Sequence, residues 1–240
     1  MTTTNPDFPA GFVHAPFIAL RGIRIYIHST DLYDEILVGA RAAGWPPVDG
    51  AVELRCRLPI TTQPAFHFDG EVPAPNTNAA SASFQLEIAG RTGYGRIIAT
   101  ARQATERKPY DEARIWTVAR FGERTIEPSS DCGMSPIEVI TALNVLQHNT
   151  LLPPTGGRRW LLARLSLVRP LVPADAVGIK ITLDHVVSRT MTLSSVTTPN
   201  GRLGTIRYLM GFPDRSQREH GSVRIAVTAL TRAPSSGAAF

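Results

Sequence analysis

The sequence predicts an α+β protein of two units, each an antiparallel sheet wrapped around a central helix. Short alternating apolar segments are separated by Gly and Pro turns, and each half of the 240 residues contains one helix pattern with its own start signal. The order strand, helix, then several strands therefore occurs twice, which indicates repeated architecture. We expect an N-terminal unit at residues 17–112, a C-terminal unit at 113–232, and flexible ends at 1–16 and 233–240.

The first unit is predicted from alternation and capping. Phe17 to His28 alternates isoleucines with polar residues, which is a strand pattern. A helix is expected from Asp31 to Ala43, capped by Ser29 or Thr30. Further strands are expected at Ala51–Pro59, Ser81–Ala89 and Gly93–Gln103, with a loop at 70–80 and a connection at 106–112.

The second unit has the clearer helix signal. Ala113 to Phe121 is predicted as a strand, and the loop 128–133 follows it. Ser135 and Glu138 then form a capping box, which predicts a helix ending near His148, where a protonated imidazole would favour the helix dipole. Further strands are expected at Arg159–Arg169, Val177–Val187, Thr190–Thr197, Arg202–Phe212 and Ser222–Leu230.

Composition narrows the class of protein. A hydrophobic fraction of 43% supports a packed core, and the apolar runs are too short to cross a bilayer. The N-terminus lacks the pattern of a secretion signal. Cys56 and Cys132 are far apart, without metal-ligand spacing, which fits reduced thiols in a cytoplasmic protein. The sequence predicts no cofactor, no metal site and no membrane partner.

The net charge of +5 comes almost entirely from arginine, with lysine only at Lys108 and Lys180. Nucleic-acid-binding proteins cluster their basic residues on one face or helix, whereas these arginines are spread along predicted strands. We therefore expect no nucleic-acid partner. An acidic protein or a phosphate-bearing ligand would suit such a surface.

A segment of the second unit resembles a known family. Arg169-Pro170-Leu171-Val172-Pro173-Ala174-Asp175-Ala176-Val177 resembles the Arg-Pro-Val-x-Pro-Gly-Asp segment of FabZ-like hydroxyacyl-thioester dehydratases, which have the hotdog fold. Lys108 to Arg114 is similar to the segment between the repeats of AfsA-like proteins. The chain departs from both families, since residues 113–147 contain no histidine, and Thr141 lies near the position of the dehydratase helix carboxylate.

The resemblance implies a double hotdog that acts on an acyl thioester carried by an acyl carrier protein or coenzyme A. It implies dehydration, thioester cleavage or acyl transfer, in a biosynthetic pathway of polyketides or other specialised metabolites. Two alternatives stay open: a non-catalytic hotdog protein that binds a ligand or acts as a scaffold, and a cyclase of a polyketide intermediate. A monomer of two units and a homodimer are both compatible with this architecture.

The densest polar cluster lies where the first predicted strand meets the first helix. There His28 could act as a general base, with Asp31 and Glu35 as orienting or proton-donating carboxylates. Ordinary helix capping and solvation explain the same residues equally well. The predicted substrate-binding residues are Tyr33, Thr141, Arg159 and Arg164, where the arginines would hold phosphopantetheine. The Gly156 to Arg159 step could hold a phosphate or form a surface turn.

Overall fold

Two long helices and one large antiparallel sheet account for most of the computed structural model, which describes residues 8–72 and 79–211. The strands are β1 (Phe12–His14), β2 (Leu20–Arg21), β3 (Val52–Cys56), β4 (Thr62–Gly70), β5 (Ala82–Ile88), β6 (Arg91–Gln103), β7 (Arg107–Lys108), β8 (Ala119–Phe121), β9 (Thr125–Pro128), β10 (Trp160–Leu167), β11 (Lys180–Val187), β12 (Met191–Thr198) and β13 (Gly201–Met210). The helices are α1 (Ser29–Ala42), α2 (Ala113–Trp116), α3 (Pro136–Leu151) and α4 (Asp175–Gly178). None of the helices in this part of the chain is long and apolar enough to cross a bilayer.

Eleven strands form the large sheet in the order β1-β4-β6-β5-β3-β10-β13-β12-β11-β9-β8. Strands from the first half of the chain lie on one side, and strands from the second half lie on the other. They meet where β3 pairs with β10, from Val52 opposite Leu167 to Arg55 opposite Arg164. The halves therefore share one backbone hydrogen-bond network. The strands β2 and β7 form a separate parallel pair.

Helix α3 packs on the second side of the sheet, against β9 and β11 in particular. The predicted capping box at Ser135 and Glu138 is confirmed, and it sets the start of this helix. Ile137, Ile140 and Leu143 are buried, so the helix contributes a large part of the core. The strands β11, β12 and β13 then form a meander, and β13 pairs with β10.

Helix α1 packs on the first side, where Ile36 and Ala40 are buried. Gly39 permits this close approach, because a Cβ there would lie 2.6 Å from Cζ of Phe68 on β4. The strand order differs from that of the second side. Here β6 lies between β4 and β5, whereas β12 lies between β11 and β13 on the other side. The two sides have similar element sequences but different positions for their last strands.

The prediction of a strand from Phe17 to His28 is wrong. Only Leu20–Arg21 is a strand, and Gly22 turns the chain with a φ of 55°. The predicted burial is inverted over part of the segment, since Ile23 is 83% exposed and Ile25 is 40% exposed, whereas Ile27 is buried. Arg24, between the two exposed isoleucines, faces the protein instead.

Other differences concern shorter segments. The predicted strand from Ala113 to Phe121 begins instead as the helical turn α2, because Asp111 accepts a hydrogen bond from the Ala113 N–H. The strand β4 was not predicted, and β1 lies in the segment expected to be a flexible end. The predicted strand Ser222–Leu230 and the predicted flexible end 233–240 lie outside the described residues.

Candidate active site

A cluster of charged side chains lies where α1 and α3 begin. The parallel pair β2–β7 places Arg21 directly beside Lys108. Both residues bind Asp31 in the first turn of α1: Arg21 donates from Nε and Nη2 at 2.9 and 2.8 Å, and Lys108 donates from Nζ at 2.7 Å. Arg21 and Asp31 are both buried. Asp31 is therefore a neutralised structural carboxylate that fixes β2 and β7 to α1.

Arg21 also reaches the second helix. Its Nη1 donates to Oε1 of Glu138, whose other oxygen accepts hydrogen bonds from the Ser135 N–H at 2.9 Å and Oγ at 2.8 Å. Burial alone would raise the pKa of Glu138, but the hydrogen bonds from Arg21 and Ser135 outweigh burial and lower this pKa. One guanidinium group thus joins the first turns of the two long helices.

His28 is the N-terminal flanking residue of α1 and is buried. Its Nδ1 is 2.8 Å from Oγ1 of Thr30, which leaves Nε2 without a partner among the described residues. Burial, and then the positive charges of Arg24, Arg21 and Lys108, lower the pKa of His28 well below its ordinary value. The imidazole is therefore neutral at pH 7.

Tyr110 forms one wall of the cluster. The guanidinium groups of Arg21 and Arg24 lie 4.8 and 5.1 Å from the centre of its ring, and the His28 ring lies 5.3 Å away. Arg24 is paired with Glu112 at the outer side. Burial raises the pKa of Tyr110 above its ordinary value, and its hydroxyl is buried without a partner in the described part of the chain.

Asp34 is the one carboxyl group of this cluster without an ion-pair or hydrogen-bond partner among the described residues. It follows Asp31 by one turn of α1. Although its side chain reaches solvent, the packing around it and the negative charge of Asp31 raise the pKa of Asp34 to about 6. Arg21 and Lys108 act in the opposite direction, but their charges are shared with Asp31 and Glu138. Asp34 can therefore gain or lose a proton near neutral pH.

The predicted catalytic residues are only partly brought together. His28 and Asp31 lie in the same cluster, but Glu35 does not contact them. Its Oε2 accepts a hydrogen bond from His14 Nε2 at 2.8 Å, on the side of α1 that faces β1. A catalytic role for these three residues stays a prediction.

Tyr33 joins α1 to the segment that carries the family resemblance. Its hydroxyl accepts a 2.9 Å hydrogen bond from the Leu171 N–H. In that segment, Arg169 donates two hydrogen bonds to Asp175, at 2.8 and 2.7 Å, and the Val172 N–H donates a third at 2.8 Å. The arginine and aspartate of the resembling segment thus stabilise a loop against α1, and Tyr33 is largely committed to that contact.

The other three predicted substrate-binding residues lie elsewhere. Arg164 donates to Glu53 across the β3–β10 pair and to Ser166 on its own strand, on the face of the sheet away from the core. Thr141 is buried and donates to the Ile137 carbonyl of its own helix at 2.9 Å. Arg159 begins the approach to β10, beyond the C-terminal end of α3. The structure does not gather these residues at the charge cluster.

A largely apolar groove of about 420 Å³ lies along the C-terminal half of α1 and the segment that follows the helix. Leu37 lies one turn after Asp34 and begins the groove, Arg41 lies at its rim, and Trp45 and Pro47 close it. Pro170, next to the loop that Tyr33 holds, completes the lining.

Several residues of this site could not be singled out from the sequence. Arg21 and Tyr110 lie in segments interpreted as a strand and a connection, and the pattern of the first helix did not single out Asp34. One available signal was the pair Asp31 and Asp34 at helical spacing, since two carboxyls one turn apart repel each other and separate in pKa.

A comparison with protein-family models finds no match, and one with curated proteins finds none either. Solved structures give weak similarities. A TesB protein of Mycobacterium avium subspecies paratuberculosis is 13% identical with a TM-score of 0.43, covering 86% of this chain and 94% of that chain. A protein with a hot dog fold from Alicyclobacillus acidocaldarius is 9% identical with a TM-score of 0.40, covering 79% and 89%.

The dehydratase domain of MlnD from Bacillus amyloliquefaciens is 11% identical with a TM-score of 0.36, covering 89% of this chain and 90% of that chain. At identities of 9–13% and TM-scores below 0.5, these similarities assign neither a family nor an activity to this chain. What the chain itself shows is long helices packed on one large antiparallel sheet.

Proposed function

We propose that this chain is a double-hotdog enzyme, with units at 17–112 and 113–232, that acts on an acyl thioester carried by coenzyme A or an acyl carrier protein. The observation that carries the proposal is Asp34, an exposed carboxyl whose pKa is raised to about 6 and which lies one turn of α1 before Leu37, the first residue of an apolar groove. A pKa close to the working pH is the property that general acid–base catalysis requires.

The surrounding groups supply the rest of the chemistry. The acyl chain would lie in the groove along Leu37 and Trp45, with its carbonyl group near the helix starts. Helix N-termini present partial positive charge, which stabilises an oxyanion that develops on the carbonyl. Neutral His28 can exchange a proton through Nε2, and the ion pairs of Arg21 hold both helix starts in place. Asp34 would move the proton at the reacting carbon or water.

Three reactions suit this arrangement: dehydration of a hydroxyacyl group, hydrolysis of the thioester, and transfer of the acyl group. Each needs one group that accepts a proton and later returns it, and each can use the same carbonyl position. We place the reaction in the synthesis of a polyketide or another specialised metabolite, in line with the resemblance of the Arg169–Val177 segment.

The test is intact mass spectrometry of acyl-coenzyme A and acyl-carrier-protein panels incubated with the protein. Loss of water, loss of the acyl group, or transfer to an added acceptor would each identify the reaction. Asp34→Asn should then lower turnover by about 10²- to 10⁴-fold, because it removes the proton-transferring group. The thermal midpoint should change little, since the side chain reaches solvent.

Glu123→Gln is the matched control, because Glu123 is an exposed carboxylate on the turn between β8 and β9. It should leave turnover unchanged. If Asp34 is the base, the rate of wild type rises with pH through about 6, and if it is the acid, the rate falls over that interval. Full activity of Asp34→Asn would contradict the assignment.

A second candidate is a non-catalytic protein that binds an acyl ligand. It is favoured by the pairing of Asp31, Glu138 and Glu35, three carboxylates that all lie in structural ion pairs. In that case acyl compounds bind in the groove along α1, and no substrate mass changes over the whole panel.

A further inference from the structure

A second groove lies at the opposite end of α3 from the charge cluster. Its volume is about 340 Å³, and it is bounded by the end of α3, the loop before β10, the β11–β12 hairpin and the end of β13. Leu152, which lines it, follows Glu138 by almost the full length of the helix, or roughly 20 Å. The groove is therefore a site separate from the charge cluster.

The rim of this groove is rich in groups that bind anions. Arg158 and Arg189 lie on it, together with the hydroxyl groups of Thr155, Ser188 and Thr190. Its lining residues include no carboxylate. The guanidinium groups of the two arginines form no ion pair within the described residues. Two guanidinium groups and several hydroxyls are donors that suit a phosphate group.

The hairpin that presents Arg189 is strained. Ser188 and Arg189 have φ values of 50° and 54°, in the left-handed region that favours Gly or Asn. The Thr190 N–H closes the turn on the Val187 carbonyl at 3.1 Å. Backbone strain of this kind is concentrated at ligand and active sites, where the position of a side chain outweighs its cost.

Behind Met210 and Leu152 of this groove lies a layer of fully buried polar side chains, none of which lines the groove itself. Met210 and Leu152 line the groove. Tyr208 is the next inward residue on β13 after Met210, and His148 is one helical turn inward from Leu152. Their rings are 5.1 Å apart. Thr192 on β12 is the cross-strand partner of Tyr208, so it belongs to the same layer.

The Tyr208 hydroxyl donates to the Thr141 carbonyl at 3.4 Å, but the other side chains of this layer have hydrogen-bonding atoms without partners in the described part of the chain. Both ring nitrogens of His148 and the hydroxyl of Thr192 are buried and unpaired within the described residues, and so are Asn144 and Ser194, one step further inward. Leaving such atoms unpaired is costly, which favours a polar occupant that pairs with them. Since all four side chains are uncharged at neutral pH, that occupant is a neutral hydrogen-bonding group.

We propose that this groove binds a small phosphorylated ligand, with its phosphate between Arg158 and Arg189 and a hydroxyl or carbonyl group directed to His148 and Thr192. The site is independent of the acyl-thioester reaction proposed above. Its ligand class combines one anionic group with one neutral donor or acceptor, as in a short phosphorylated polyol.

The test is isothermal titration of the full-length protein with inorganic phosphate and with glycerol 3-phosphate. Both should bind saturably, and the hydroxylated ester should bind more tightly. Arg158→Ala and Arg189→Ala should each weaken both ligands by at least about tenfold, the effect of losing one charge-assisted contact. Arg120→Ala removes the same charge from an exposed site on β8 and should change binding less than twofold.

Thr192→Val, which keeps the shape of the side chain, should weaken glycerol 3-phosphate by several-fold and leave inorganic phosphate unchanged. The proposal fails if neither probe binds below about 10 mM, or if Arg120→Ala weakens binding as much as Arg158→Ala. Equal weakening of both probes by Thr192→Val would rule out the contact between the neutral group of the ligand and Thr192. Because the readout is binding, an enzymatically inactive protein would not affect the result.

Discussion

Asp31 and Asp34 lie one helical turn apart but have opposite surroundings. Asp31 is enclosed by the guanidinium of Arg21 and the ammonium of Lys108, whereas Asp34 has only the repulsion of Asp31 and partial burial. Asp31 is thus paired with two cations, whereas Asp34 has no such partner and is the carboxyl whose pKa is raised to about 6. The division of roles between the two residues comes from the positions of Arg21 and Lys108.

His148 is a second residue whose surroundings decide its protonation. It is buried against Trp160 and Tyr208, and burial lowers its pKa from 6.5 to about 4. It is therefore neutral at pH 7, which differs from the protonated helix-end imidazole that the sequence suggested. The helix continues to Leu151, so His148 lies inside α3.

His148→Phe should reduce the sensitivity of stability to acid. Between pH 6.5 and 4 the unfolded chain binds a proton at this residue that the folded chain does not, so wild type loses stability as pH falls. The loss attributable to His148 is about 3 kcal/mol by pH 4, since one pKa unit is about 1.4 kcal/mol. Urea unfolding of both proteins at pH 7 and pH 4.5 measures the difference.

His185→Phe is the control, because His185 is exposed on β11. The stability of this variant should depend on pH in the same way as that of wild type. An equal loss of stability in wild type and His148→Phe would show that the imidazole is hydrated in solution.

The residues between 21 and 28 show why part of the site could not be predicted. Alternating isoleucines normally mark the buried face of a strand, but here Arg24 and His28 point inward because Glu112, Tyr110 and Thr30 bind them. Ile23 is displaced to the surface. Those partners are up to 88 residues away in the chain, so local periodicity contains no information about them.

At the scale of elements, the first turns of α1 and α3 are joined by the Asp31–Arg21–Glu138 bridge. A buried ion bridge contributes little when complete, but removing one member leaves the others buried and unpaired. The bridge therefore acts mainly to fix the relative position of the two helix starts, between which we place the reacting group.

Arg21→Met should lower the free energy of unfolding at pH 7 by about 3–5 kcal/mol, because Glu138 and Asp31 lose their buried partner. The effect should shrink as pH falls, since the stability that Arg21 gives through the lowered pKa of Glu138 is present only above the ordinary pKa of that group. Urea unfolding at pH 7 and pH 4 measures both effects.

Arg107→Met is a matched control on the neighbouring strand β7. The Arg107 guanidinium is exposed, and within residues 8–72 and 79–211 it donates only to the carbonyls of Gly22 and Arg24. Arg107→Met should lower the free energy of unfolding by less than about 1 kcal/mol. Similar losses of unfolding free energy in the two variants would show that breaking the buried bridge costs no more than removing an exposed arginine.

Among the elements, helices with local start signals were predictable and irregular strands were not. Ser135 and Glu138 mark the start of α3 in the sequence alone, whereas β4 contains Pro64, which cannot donate to a ladder. The structure accommodates Pro64 at an irregularity between β4 and β6. Hydrogen bonds to β6 on one side and to β1 on the other hold that segment as a strand.

At the scale of the whole molecule, the sheet is continuous across its middle. Four residue pairs join β3 to β10, from Val52–Leu167 to Arg55–Arg164, and Tyr33 joins α1 to the loop at Leu171. The two halves that the sequence suggested as repeats therefore share hydrogen bonds, core and helix starts. Their stabilities are coupled.

We expect a single calorimetric transition, with the van't Hoff enthalpy equal to the calorimetric enthalpy. Circular dichroism and the fluorescence of Trp45 and Trp160, which lie on different sides of the sheet, should change at the same temperature. Two resolved transitions would show that the halves unfold independently. Arg21→Met should lower the midpoint without splitting the transition.

The two ends of the sheet in the described part of the chain, β1 and β8, are strands of only three residues each. Each of these two end strands therefore offers another polypeptide very few unpaired N–H and C=O groups in a row, although β4 and β11 extend beyond the short strands that cover them. A sheet of this width would otherwise be a template for ordered aggregation. Keeping both borders short limits that growth, so concentrated protein should resist seeding into fibrils even though its central strands are strongly apolar.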